Sequence, residues 1–445
     1  MALPPLPAFP TGFTWGVATS AYQVEGAVDT DGRGPSIWDT FAHEPGQIAD
    51  GSTGDVTCDH YHRYPEDVAL MSGLGIDAYR FSVAWSRIQP DGTGPANPAG
   101  LAFYDRLVDS LLAAGIDPVA TLFHWDLPQA LEDGGGWMDR DTAYRFADYS
   151  ALVAAALGDR VKLWITLNEP VVHMTYGYAM GVHAPGRMML FDAFPVTHHQ
   201  LLGHGLAVAA VRAHSGSPVA IANNYSPVRA CGDTAADRAA VAAYDALHNR
   251  LFTDPLLGLG YPTEIDFDLS AVHDGDLDVI AAPIDGIGVN YYNPTGIRAP
   301  DEGHPLPFEM VQLDDYATTG FGWPVVPDGL RDALVTLTTR YGAALPPLYV
   351  TESGCSYPDV VGPDGDCADP DRVAYLDSHL RAVRAAIDEG ADVRGYFVWS
   401  LLDNFEWAEG FSQRFGLVHV DFDTRIRTPK TSYAWYRDAI RQAHR

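Results

Sequence analysis

The sequence predicts an α/β fold, a (β/α)₈ barrel forming one domain over residues 1–445 with long loops after its strands. Three observations carry this. Strand-like and helix-like stretches alternate about eight times. A barrel of this kind often runs past about 400 residues as one unit. Polar and aromatic residues collect where the strand-like stretches end, and no repeat, low-complexity tract or linker divides the chain.

In chain order, F-T-W-G-V-A-T-S-A (Phe13 to Ala21) reads as a first strand, followed by Tyr22, Gln23 and Glu25 in a polar turn. A loop rich in Gly, Asp and Pro runs through Asp55. Pro65 to Leu74 is helical and stops at Gly75, since glycine readily adopts the left-handed conformation that ends helices. Ala78 to Trp85 is a second strand with Arg80 inside it. An amphipathic helix, Leu101 to Ala114, closes at Gly115. A third strand starts at Asp117 and ends in His124, Trp125 and Asp126, and Asp141 to Leu157 is helical.

The fourth strand has the clearest form, V-K-L-W-I-T-L-N-E-P from Val161 to Pro170. Val161, Leu163, Ile165 and Leu167 alternate with Lys162, Trp164 and Thr166, the period of a strand covered on both faces. Pro170 lacks a backbone donor and pushes Glu169 away from helical geometry, so the strand stops with Asn168 and Glu169 at its carboxyl end.

Pro195 to His214 is a helix, and Val219 to Asn224 a fifth strand ending in amides. Thr234 to Arg250 is helical. Ile284 to Tyr292 is a sixth strand ending in Asn290 and Tyr292. An irregular segment, Asn293 to Pro327, precedes a helix from Gly329 to Tyr341. P-L-Y-V-T-E-S-G repeats the pattern of the fourth strand, with Glu352 at the end and Gly354 turning the chain. Asp369 to Glu389 is helical, Val393 to Ser400 is the eighth strand, and an acidic, aromatic stretch leads to a last helix, Ser432 to His444.

The formal net charge is −30, from 58 acidic and 28 basic residues. Such a field repels nucleic acid and anionic lipid, so neither is expected as a partner. The only lysines, Lys162 and Lys430, leave little room for Schiff-base or phosphate-loop chemistry. Four cysteines at 58, 231, 355 and 367, without C-x-x-C, fit a reduced, cytoplasmic protein. The N-terminal residues show no signal-peptide pattern, and no run approaches the ~18 apolar residues of a membrane span. No cofactor or metal is expected. His60/His62 and His198/His199 lack further ligands at a known spacing, and no dinucleotide fingerprint, phosphate loop or serine elbow occurs.

Two carboxylates at two strand ends suit acetal hydrolysis. One, protonated, helps the leaving oxygen depart; the other, ionised, attacks or supports the oxocarbenium-like carbon. Arg80 and Tyr292 are candidates for holding Glu352 ionised, and Asn168 for holding a sugar hydroxyl beside the reacting carbon. Gln23, His124, Trp399, Glu406 and Trp407 supply the amide, imidazole, carboxylate and indole groups that recognise sugars. Each also admits a structural reading: Asn-Glu-Pro as a turn, Arg80 as an ion-pair member, His124 and the tryptophans as core. Their shared position at strand ends favours chemistry.

With these residues in view the chain resembles glycoside hydrolase family 1, the β-glucosidase family, from Phe13 to Trp435. The motifs are F-T-W-G-V-A-T-S-A-Y-Q-V-E-G-A, Y-R-F-S-V-A-W-S-R-I-Q-P, T-L-F-H-W-D-L-P, T-L-N-E-P, N-Y-Y, V-T-E-S-G and W-S-L-L-D-N-F-E-W-A-E-G-F-S-Q-R-F-G. The resemblance implies a retaining β-glucosidase with Glu169 as acid/base and Glu352 as nucleophile, about 5–5.5 Å apart. It implies that Gln23, His124, Asn168, Glu406 and Trp407 bind the glycone over Trp399, with Trp323 as the aglycone-side wall and Phe415 and Trp125 as lesser contributors. The family's nucleophile motif usually has asparagine where this chain has Ser353. Sulfur-glycoside members lack the acid/base that Glu169 supplies. Members acting on phosphorylated sugars carry serine, lysine and tyrosine where Glu406, Gln413 and Phe415 align; an anionic Glu406 is expected to repel phosphate, which favours a neutral sugar. A β-galactosidase, β-fucosidase or transglycosylase on the same residues, a sugar-binding protein with a decayed site, and a nicotinamide-dependent barrel remain as alternatives.

Overall fold

A computed structural model describes residues 3–444. Eight parallel strands close into a barrel: β1 (Thr14–Ala18), β2 (Ala78–Ser82), β3 (Asp117–Phe123), β4 (Leu163–Asn168), β5 (Val219–Asn224), β6 (Gly286–Asn290), β7 (Leu348–Ser353) and β8 (Val393–Trp399). Each pairs with its neighbours in sequence, and β1 closes the ring on β8 with Ala18 opposite Trp399. Between and after the strands run eight principal helices: α1 (His60–Leu74), α2 (Pro98–Ala113), α3 (Asp141–Leu157), α4 (Phe194–Arg212), α5 (Ala235–Asp245), α6 (Pro327–Tyr341), α7 (Pro370–Asp388) and α8 (Thr431–Ala443). Among the described residues no helix is long and apolar enough to cross a membrane.

The strands form because both their faces are buried. Side chains facing the helices join one large apolar core, while the barrel interior is filled by small and branched residues such as Ala18, Ala78, Val119, Ile165 and Ala220. Polar side chains replace this filling only towards the carboxyl ends. The strand register also slips there, between Ile165 and Asn168 on β4 and between Val350 and Glu352 on β7. Such irregularities re-aim side chains. Behind Glu352 the chain passes so close to β8 that a Cβ on Gly354 would lie 1.8 Å from the Trp399 carbonyl oxygen, so only glycine fits.

Several boundaries differ from the sequence reading. The first strand ends at Ala18, and Ala21–Val24 is a helical turn instead of an irregular one. The second strand ends at Ser82, with Trp85–Ile88 helical. α1 begins at His60, ahead of Pro65, which stands inside the helix without a backbone N–H to donate. The helix expected over 234–250 is α-helical only to Asp245 and continues as a π-helical turn, Ala246–Arg250. The segment after β6 is not wholly irregular: Thr295–Arg298 and Glu309–Val311 build a small sheet with Val228–Ala230. Short strands completed by a partner from another loop show no long alternation, which is why they escape a reading by periodicity.

Candidate active site

Glu169 follows β4 directly and stands in the left-handed region at φ 43°, ψ 57°. Pro170 does exclude right-handed helix there, but the residue goes left-handed, not extended. Trp125 after β3 (φ 73°) and Trp407 after β8 (φ 50°) share this conformation. A non-glycine residue pays roughly 1–3 kcal/mol to stay there, so its surroundings must hold it. Three of the nine such residues among those described thus lie around the barrel mouth.

Glu352 ends β7 and is 3% exposed; Glu169 is 4% exposed. Arg80 Nη1 donates to Glu352 Oε1 at 2.7 Å, and the Tyr292 hydroxyl donates to Oε2 at 2.8 Å. The other Arg80 nitrogen, Nη2, donates to Asn168 Oδ1 at 2.5 Å, so one guanidinium spans from β2 to both β7 and β4. Asn290, at the end of β6, donates from Nδ2 to Asn168 Oδ1 and to Glu169 Oε1, each at 3.0 Å. Asn224, at the end of β5, donates to the same Oε1 at 2.8 Å. The end of β6 therefore touches both carboxylates, Glu169 through Asn290 and Glu352 through Tyr292.

Electrostatics separates the pair. Burial raises the Glu352 carboxyl, but Arg80 and Tyr292 pull it back, so it ionises first. Burial, with the Glu352 charge added, pushes Glu169 up to about 8. Glu169 is thus the carboxyl that holds its proton towards neutral pH, beside one that Arg80 and Tyr292 pair. Burial and the same two neighbours also raise Glu406 to about 8. The charged form of Glu406 expected from the sequence is therefore disfavoured in this cavity. The cations beside the mouth, Arg80 and Arg414, are paired with Glu352 and Asp403, which leaves none there among the described residues to hold a phosphate. The adjacent Arg414 is committed to Asp403 at 2.8 Å, and Gln413 accepts from Ser356.

The remaining candidates converge on the same mouth. Gln23 Nε2 donates to the Phe405 carbonyl at 2.9 Å and lies 3.5 Å from Glu406 Oε2. Asn168 Nδ2 donates to His124 Nε2 at 3.0 Å, which places the imidazole proton on Nδ1, an atom without a partner among the described residues. The His124 ring lies 5.8 Å from Trp399 and 5.9 Å from Trp407. Trp125 packs 4.6 Å from Trp407 and donates from Nε1 to the Asn168 carbonyl. Across the mouth, Trp323 meets Tyr292 edge-on at 5.4 Å, with Phe415 6.1 Å away. Ser353 turns to the helix side beside Tyr375 and Tyr396, away from the carboxylate of Glu352. His60, His62, His198 and His199 lie elsewhere, bonded to Asp67, Asp59, Asp276 and the Trp137 carbonyl respectively.

Sequence reasoning left out Asn224 and Asn290 as site residues, although the amides ending both strands were the available signal. It also left out Phe321, stacked 4.1 Å from Trp323. No local pattern marked that residue.

The model of glycosyl hydrolase family 1 matches residues 7–445. Thermostable beta-glucosidase B of Thermobispora bispora is 50% identical, over 98% of this chain and 91% of that protein. A bifunctional beta-D-glucosidase/beta-D-fucosidase of Bifidobacterium breve is 46% identical, over 97% and 98%. The solved structure of beta-glucosidase from Thermotoga maritima in complex with glucoimidazole superposes with a TM-score of 0.94 at 42% identity, covering 98% of this chain and 99% of that one.

Proposed function

The chain belongs to glycosyl hydrolase family 1, and from that premise we propose that it is a retaining β-glucosidase releasing terminal, non-reducing glucose from short oligosaccharides and aryl or alkyl glucosides. In this reading the Glu352 carboxylate attacks the anomeric carbon while Glu169 gives its proton to the departing glycosidic oxygen. The C1–O bond breaks as the ester to Glu352 forms. Glu169, now ionised, takes a proton from water; that water attacks C1, the ester carboxylate leaves, and the product keeps the β-configuration. Arg80 and Tyr292 hold the nucleophile charged and aimed. Gln23, His124, Asn168, Glu406 and Trp407 take up the sugar hydroxyls above Trp399, with Trp125 and Phe415 as packing. The Trp323–Phe321 stack offers ring faces to the leaving group.

The observation that carries the reading is that Asn290, which ends β6, and Tyr292, two residues on, bond the two carboxylates, Glu169 and Glu352, of which Glu169 is the one pushed up to about 8. We place the activity in the cytoplasm, on glucans released from cellulose; four thiols without a disulfide among them support the compartment. A β-fucosidase activity on the same residues is the second reading, favoured by the named activity of the Bifidobacterium relative. Product anomers followed by NMR, with initial rates on aryl β-glucoside, β-fucoside, β-galactoside and 6-phospho-β-glucoside, test both. The expectation is β-glucose first, glucoside among the best substrates, and almost no turnover by Glu352→Ala. Inverted product would refute the mechanism, and faster cleavage of the 6-phosphoglucoside would refute the neutral-sugar assignment.

A further inference from the structure

The hydrogen bonds to Glu169 fall on one of its oxygens only. Asn224 Nδ2 and Asn290 Nδ2 both donate to Oε1, while Oε2 has no partner among the described residues. Asn224 can be oriented this way only if its own carbonyl oxygen is satisfied elsewhere. Its Oδ1 lies 2.9 Å from His248 Nε2. Since Oδ1 can only accept, the imidazole proton is on Nε2. His248 sits in the π-helical turn after α5, its ring stacked on Tyr244 at 5.4 Å and 6°. Burial keeps that imidazole neutral, lowering it to about 4.

We propose that His248 is a positioning residue which, through Asn224, occupies Glu169 Oε1 and so leaves the acidic proton on Oε2, facing the leaving group. The inference rests on the acid/base assignment of Glu169 and adds a residue outside the sugar cavity to its machinery. A flipped Asn224 amide would set oxygen against oxygen at Glu169 and nitrogen against the His248 N–H. The two hydrogen bonds therefore hold or fail together.

The groups acting on Glu169 are Glu352, which raises it, and Arg80 with the two amides, which lower it. Tyr176, Tyr292 and Glu406 also face it. Asp245 acts on His248 from the preceding turn. Removing an N–H donor from a carboxylate destabilises the anion, so the group releases its proton at higher pH.

The test compares wild type, His248→Phe, which keeps a ring against Tyr244, His248→Gln, which restores an N–H, and Asn224→Leu. The basic limb of kcat/KM against pH should move up by about one unit in His248→Phe and in Asn224→Leu. The double variant should add nothing further, and His248→Gln should return towards wild type. Turnover of a poor leaving group should fall about tenfold, with an activated aryl glucoside little affected. A basic limb unmoved in a folded His248→Phe, or additive shifts in the double variant, overturns the proposal. Glu169→Ala is measured alongside: if azide fails to restore its turnover of the activated glucoside, the acid/base assignment itself has failed, a separate outcome from an unmoved limb.

Discussion

At the scale of single residues, Glu169 binds its proton more tightly in the fold than in the unfolded chain, having moved up to about 8. A carboxyl raised on folding lends stability that is complete below its unfolded value, near the usual 4.5, and is lost as pH rises through the folded value. Glu169→Gln keeps a neutral group at every pH. Its melting temperature should match wild type near pH 4, then exceed it by a margin that grows to about pH 8 and levels off. Thermal scans at fixed rate across pH 4–9 check this; a constant offset, or a deficit growing with pH, contradicts it. Such a gain on removing a functional group is the expected sign of a site held against its own stability. The pairing of Glu169 with Glu352 was legible in the sequence because each ends a long apolar strand. The raised proton affinity was not, since it depends on Glu352, Arg80 and three strand ends meeting in space.

At the scale of elements, the loop after β8 carries Glu406 and Trp407 and rests on buried charge. Lys430 Nζ donates to Asp359 Oδ2 at 2.6 Å and to Asp403 Oδ1 at 2.7 Å, with no side-chain surface exposed. Asp403 also accepts from Arg414 and from the backbone N–H of Gly416. Arg372 bonds Asp359 and Asp369, and donates to the carbonyl of Cys355, three residues past Glu352. Three cations and three carboxylates thus tie the chain after β7 to the loop after β8. Lys430→Met takes one of two cationic partners from each of two buried aspartates, a change costing at most about 3–5 kcal/mol. The folded variant should show a lower urea midpoint and a KM for glucoside raised more than kcat falls, since the loop carries Glu406 and Trp407, the residues proposed to take up the sugar. An unchanged KM separates the cluster from the site. The sequence singled out Lys430 only as one of two lysines. The other members of its cluster are scattered from 359 to 414, and no spacing rule connects them. Alternation and glycine stops, by contrast, were enough to find all eight barrel strands, because each is buried on both faces over several residues.

At the scale of the whole molecule, a net charge of −30 does not determine the fold, which the apolar pattern specifies, but it sets the field around it. Most of this charge is on the surface, where salt screens it: the Debye length falls from about 10 Å at 0.1 M to about 3 Å at 1 M. The charge on Glu352 lies inside the cavity, where screening is weak. The two sources therefore separate in a salt titration. Added sodium chloride should raise the melting temperature by easing self-repulsion and leave KM for a neutral aryl glucoside nearly flat. For a 6-phosphoglucoside, the long-range part of the repulsion should fade, so its KM should drop with salt yet stay above that of the neutral sugar even at 1 M. A residual preference at high salt belongs to the cavity, where the described cations Arg80 and Arg414 are already paired with carboxylates. Loss of the preference at 1 M would assign the discrimination to the surface field. A melting temperature that falls with salt would mean that the surface ion pairs contribute more than the self-repulsion costs.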